Sequence, residues 1–203
     1  MKKAPTLLLS MMLSGCTVFP VPEPPRFMEL MPASQHLTFD RTLPVSLRVD
    51  TPMASDPLDS ARILIKPSAY EYQAMADARW RESIPVVVRD HLIDTLRASG
   101  GFANVMTDTS PATADLTLVS EINRFQAQKT QDGAEVTIAF HLELMENRSR
   151  QSLCVQDYQQ QVPASGTELE PLMEAFSKAA NTASTAITSW AHQCLESQPG
   201  LQD

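Results

Sequence analysis

Between Leu43 and Asp50 apolar and polar residues alternate, with Val45, Leu47 and Val49 on one side, and Ile63 and Ile65 repeat the pattern in ARILIKP. Period two over so short a span predicts two strands. From roughly Ala74 to Ser99 the spacing turns helical: Trp80, Ile84, Val87, Val88, His91, Leu92, Thr95 and Leu96 share a stripe that Gly100 and Gly101 end. Pro85 interrupts that stripe, so the helix is expected to start near Ser83, with the proline in its first turn. FANVMTD, Phe102 to Asp108, predicts another short strand.

Three longer period-two segments follow, led by Leu116, Leu118, Val119 and Ile122, then by Val136, Ile138, Phe140, Leu142 and Leu144, then by Leu153, Val155 and Tyr158. The polar runs QDG (131–133) and NRSRQ (147–151) between them are suited to hairpin turns, which gives an antiparallel meander. The last element, about Leu169 to Glu196, carries Leu172, Phe176, Ala180, Ala183, Ile187 and Trp190 at helical spacing. Two helices and a meander, each apolar on one side, predict an α+β two-layer sandwich of a mainly antiparallel sheet with two packed helices.

The first residues break with this pattern. In MKKAPTLLLSMMLSGC two lysines precede a short stretch that is apolar on every face, and small residues follow, which is the anatomy of a secretory leader. Leu13, Ser14, Gly15 and Cys16 match the lipobox of bacterial lipoprotein signal peptides, in which the cysteine thiol takes a diacylglyceryl group and its freed amine a further acyl chain. Several chains anchor a protein stably where one does not. Thr17, not Asp, follows the cysteine, which fits the periplasmic face of the outer membrane of a Gram-negative bacterium. Pro20, Pro22, Pro24, Pro25 and Pro32 then forbid helix and predict an extended, lipid-anchored tether. The expected organisation is a signal peptide at 1–15, a tether at 16–42 and one folded domain at 43–203. A second reading packs the later half of the tether on the domain as an irregular edge.

A length of 203 residues, 43% hydrophobic, supports one buried core. The formal charge of -8, and -10 once Lys2 and Lys3 leave with the signal, opposes nucleic-acid binding, which needs clustered Lys and Arg. His36, His91, His141 and His192 fall on separate elements without metal-ligand spacing, and neither a Gly-rich phosphate loop nor a Gly-x-Ser-x-Gly elbow occurs. No metal, no cofactor and no enzymatic activity are expected. Asp56 with Asp59 and Glu143 with Glu146 read as solvated charge. With Cys16 acylated, Cys154 and Cys194 remain as a pair in an oxidising compartment. They meet in a disulfide if the last helix folds back over the last strand.

Certain runs together resemble a known family. LRVDTP, then ILIKPSAYEYQAMADARWRESIPVVVRDHLIDTLRASGGFANV, then ADLTLVSEINRFQ are similar to auxiliary lipoproteins of ABC-type lipid transport systems, including that of the paraquat-inducible (Pqi) system. The shared pattern is a Tyr and small residues before Ala78-Arg79-Trp80, a helix ending Leu-x-x-Ser-Gly-x-Phe-x-x-Val, then Ala114-Asp115-Leu116 and Glu121-Ile122 with Phe125. The resemblance implies a non-enzymatic partner for a mammalian-cell-entry (MCE) domain protein that spans the periplasm, with a homo-oligomeric ring as a further expectation. An envelope scaffold for a secretion or outer-membrane assembly complex is the competing function. Arg79, Trp80 and Phe125 are candidate docking residues, since Trp and Arg dominate interface hot spots. The competing reading of Trp80 is a core residue under the sheet with Arg79 over its edge.

Overall fold

The computed structural model describes residues 24–131 and 133–198. The leader, the lipobox and Cys16 lie outside the described residues. Eight strands and two helices follow in the order β1 Arg26–Met28, β2 Leu43–Val49, β3 Arg62–Ser68, β4 Glu71–Trp80, α1 Ile84–Ala98, β5 Phe102–Thr107, β6 Leu116–Lys129, β7 Ala134–Glu146, β8 Gln151–Ala164 and α2 Leu169–Glu196.

The sheet is built around β6. Along one edge β6 pairs antiparallel with β7 from end to end, and β7 pairs with β8 in the same way, so the expected meander forms. The other edge of β6 is shared: β2 pairs parallel with its beginning (Leu47 opposite Leu116) and β3 parallel with its end (Ile65 opposite Ala127). Beyond them β5 pairs parallel with β2, β4 antiparallel with β3, and β1 parallel with β4. The sheet is therefore mixed, not mainly antiparallel. The reason is topological: β2, β3 and β5 reach their neighbours through crossovers, which impose parallel pairing and leave no local mark such as a hairpin turn. Asp115 pins one of these seams, because the hydroxyl and backbone N–H of Ser46 on β2 donate to its carboxylate at 2.6 and 2.7 Å. Those bonds hold the Asp115 carboxyl below its ordinary pKa.

α1 starts after Ser83 with Pro85 in its first turn, as the sequence predicts. It stops at Gly100, whose φ of 63° is cheap only for glycine. The helical spacing before Ser83 is misleading, however, because residues 71–80 form β4. Only Ala78 and Trp80 on that strand are buried. Trp80 and Ile84 stand four apart because a strand end and a helix start face the same core.

Both helices pack on one side of the sheet. The core between the layers includes Leu47, Ile63, Trp80, Leu96, Phe125, Ile138 and Phe176, all nearly inaccessible to solvent. α2 runs antiparallel over β8, and its end reaches the start of that strand, where Cys154 and Cys194 are joined with their Cα atoms 6.4 Å apart.

Candidate functional site

The first feature that positions a site is the segment from residue 24 to 42, read above as tether. From Arg26 onward it lies on the domain. β1 extends the sheet at β4, and Arg26 pairs with Glu170 at 2.8 Å in the first turn of α2. The chain then crosses the helical layer: the Met31 N–H donates to Ser177 Oγ (3.1 Å), Asn181 Nδ2 donates to the Met31 carbonyl (3.0 Å), and Phe39 stacks on His192 with ring centroids 3.8 Å apart. Gly101 makes this crossing possible. A Cβ there would lie 2.6 Å from Phe39 and 2.9 Å from His192. The folded unit thus begins before Leu43, because Leu30 and Phe39 find apolar and aromatic partners that a free tether would lack.

Beneath that strap is a buried cavity lined by Leu30, Val88, His91, Ser120, Phe140 and Ile187 among others, about 10 Å³ in volume. It is room for roughly one water and is too small for an acyl chain. His91 Nε2 and Ser120 Oγ are both buried in it without hydrogen-bond partners. Burial pushes the His91 imidazole down in pKa, against the hydrogen bond with Asn181 and the charge of Asp94. On the outer side of Leu30, a groove of about 200 Å³ is lined by Glu29, His36, Asp90, His91 and Asp94. Among the described residues no group of three His, Cys, Asp or Glu side chains is placed to hold a metal ion. His141 on β7 instead pairs with Asp157 on β8 at 2.7 Å, and that bond raises its pKa.

The three docking candidates separate. Trp80 is 0% and Phe125 1% exposed, so neither side chain is accessible to a partner. They pack with Phe176 of α2 in an aromatic cluster, centroids 5.2 to 5.7 Å apart, that ties β4 and β6 to the helical layer. Arg79 is exposed, but its guanidinium lies 4.6 Å over the ring of Phe27 on β1 and so closes the sheet's own edge.

A different set of aromatics is free. From Glu71 to Asp77, β4 is exposed or half-buried on both faces, and the β3–β4 turn carries Tyr70 at 98% exposure. Tyr72 follows, with Lys66 Nζ 4.9 Å over its ring. The sequence hides this site, because SAYEYQ has neither strand alternation nor a chemical motif. Its one visible signal is two tyrosines in a run with no other large apolar residue.

Set beside known proteins, the same architecture recurs. The crystal structure of protein XCC0632 from Xanthomonas campestris matches with a TM-score of 0.73 at 22% identity, over 83% of this chain and 95% of that one. A second crystal structure, of an uncharacterized protein, matches with a TM-score of 0.66 at 15% identity, over 83% of this chain and 99% of that one. At such identities the likeness is one of fold. No curated protein matches the sequence. The family model described as the ABC-type transport auxiliary lipoprotein component matches residues 29–188. That span takes in the strap from Glu29 onward, β2 to β8, α1 and most of α2, and on it the chain belongs to the ABC-type transport auxiliary lipoprotein family.

Proposed function

We propose that this lipoprotein is the outer-membrane subunit of an MCE/ABC-type intermembrane lipid transport system, acylated at Cys16, and that it docks or extends the periplasm-spanning MCE component. The observation that carries the reading is the family match from residue 29 to 188. The LSGC lipobox thirteen residues before that span supports a membrane anchor, and Thr17 supports outer-membrane sorting. The Cys154–Cys194 disulfide fits the oxidising periplasm. Among the described residues no helix is long and apolar enough to cross a membrane, so attachment falls to the acyl chains. The protein's own part in transport is then mechanical: it fixes a rigid α/β body at the membrane and offers its surface to the MCE partner or to further copies of itself in a ring.

Two measurements test this. Isolation of the protein from detergent-solubilised membranes is expected to recover an MCE-domain protein, and recovery of secretion or outer-membrane assembly proteins instead would transfer it to the scaffold class. Cys16→Ala is expected to abolish labelling by radioactive palmitate and to leave a precursor outside the outer-membrane fraction. Normal sorting of that variant would refute the anchor.

A further inference from the structure

We infer that the rim formed by the β3–β4 turn, with Tyr70 foremost, rests in the headgroup region of the bilayer that holds the acyl chains of Cys16. The inference builds on the acylation reading above and adds which end of the domain meets the membrane.

Strand direction supplies the first step. β4 runs away from the rim, from Glu71 to Trp80, and β1 is parallel to it with Arg26 opposite Ala78 and Met28 opposite Trp80. Traced backward from Arg26, the chain therefore leaves the domain heading for the rim. Chain length supplies the second. Cys16 is ten residues from Arg26, ~31 Å at the ~3.1 Å per residue of an extended proline-rich segment. Ala78 is eight residues from Tyr70, ~26 Å at ~3.3 Å per strand residue. A tether drawn out along the line on which β1 leaves the domain thus carries Cys16 only about 5 Å past Tyr70. On that line the rim is the part of the domain that meets the lipid surface first.

The third step is chemical. Tyrosine, with an apolar ring and a polar tip, is favoured where hydrocarbon gives way to water, and Lys66 and the exposed Lys129 stand beside it as partners for phosphate groups. Lys66 lies opposite Gln128, so Lys129 shares the same rim. The formal charge of -10 that remains once Lys2 and Lys3 leave with the signal opposes a broad electrostatic contact with anionic lipid, so the contact is local and depends on the anchor. The acidic body then points away from the membrane. The β7–β8 turn with Arg148 is the opposite end of the sheet, ~40 Å from the β6–β7 turn along the length of β7.

The test uses the acylated full chain in vesicles of phosphatidylethanolamine and phosphatidylglycerol. With Cys16 acylated and Cys154 bonded to Cys194, Ser68→Cys on the rim and, separately, Arg148→Cys each provide one thiol for an environment-sensitive fluorophore, with Tyr70 left in place. Both positions are exposed, so the label disturbs no packing. Spin-labelled lipids are expected to quench the label at 68 several-fold more strongly than the label at 148, with a blue shift at 68 on reconstitution. Equal, weak quenching at both positions in protein that floats with the vesicles would overturn the inference while leaving the anchor intact. A blue shift at 68 already present in detergent and insensitive to spin-labelled lipid would also overturn it, and would assign the rim to a second copy. Failure of the acylated chain to float with vesicles would be failure of the anchor itself, and the inference would fall with it.

Discussion

Trp80 and Tyr70 stand on the same β-hairpin, ten residues apart, and meet opposite surroundings: the first is 0% exposed and the second 98%. Trp80 is enclosed by Phe125 and Phe176 at the base of β4, where the strand passes under α2. Tyr70 stands at the turn, beyond a stretch of β4 that is exposed or half-buried on both faces. One strand thus serves two purposes along its length. Its base is part of the core, and its far end presents surface that folding does not need. A single exposed aromatic needs no explanation by itself; Tyr70 draws attention because it stands at the end of the domain toward which β1, traced backward, leads.

The sharpest way to break this contrast is at the base. Trp80→Ala is expected to cost ~3–5 kcal/mol, because it empties a large site between sheet and helix that the aromatic partners cannot collapse to fill. A fall in the denaturation midpoint with unchanged slope would measure it. A loss below ~1 kcal/mol would mean that the cluster is not the core anchor its burial implies.

The staple between β8 and α2 comes next. Replacing both Cys154 and Cys194 with Ser is expected to lower stability by ~2–4 kcal/mol, since a link across a sequence separation of 40 restricts the unfolded chain. Alkylation of the oxidised protein under denaturing conditions should find neither thiol free, and reaction at both would disprove the pairing. Because the staple lies at the far end of the sheet from Tyr70, the label at the rim should respond to membrane as before. That outcome would show the two ends to be separable.

Acid gives a smaller effect, again confined to the buried side. His91 is held neutral by burial, its folded pKa below the ordinary value of 6.5. A lowered histidine pKa means that the unfolded chain binds the extra proton first, so His91's contribution is complete above about pH 6.5 and declines as pH falls toward the folded pKa. Stability followed against pH should show that decline, and His91→Gln should flatten it. Glu29, His36, Asp90 and Asp94 line the same groove, so the difference between wild type and variant is the quantity to read. An identical slope in both would place the titration elsewhere.

How far the sequence revealed all this follows the same division. Elements with one dry face were legible: the alternation of β2, β6 and β7 and the stripes of α1 and α2 record burial directly, whereas on β8 Val155 is exposed and Val162 alone is buried. The disulfide was legible from where its cysteines fall on the last strand and the last helix. β1 and β4 were not, because an edge strand of three residues and a strand exposed on both faces leave no hydrophobic period to read. Trp80 and Phe125 drew attention as docking residues because large aromatics serve cores and interfaces alike, and only packing separates the two uses. Parallel pairing was invisible for another reason: the register of β2 and β3 on β6 is set by contacts between residues some 60 to 70 positions apart in the chain.

The smallest expected effect on stability is also the one that decides the contrast. Tyr70→Ser removes a ring that touches almost nothing within the domain, so the unfolding free energy should change by less than ~0.5 kcal/mol. The turn itself is unaffected, because neither Ala69 nor Tyr70 has a positive φ that would constrain the residue placed there. With the fold unchanged, a fluorophore introduced at Ser68→Cys on the same rim should lose much of its quenching by spin-labelled lipid in the Tyr70→Ser background, since the ring that holds the rim among the headgroups is gone. A loss of stability above ~1 kcal/mol would instead make Tyr70 a structural residue despite its exposure, and would collapse the distinction between the two ends of β4.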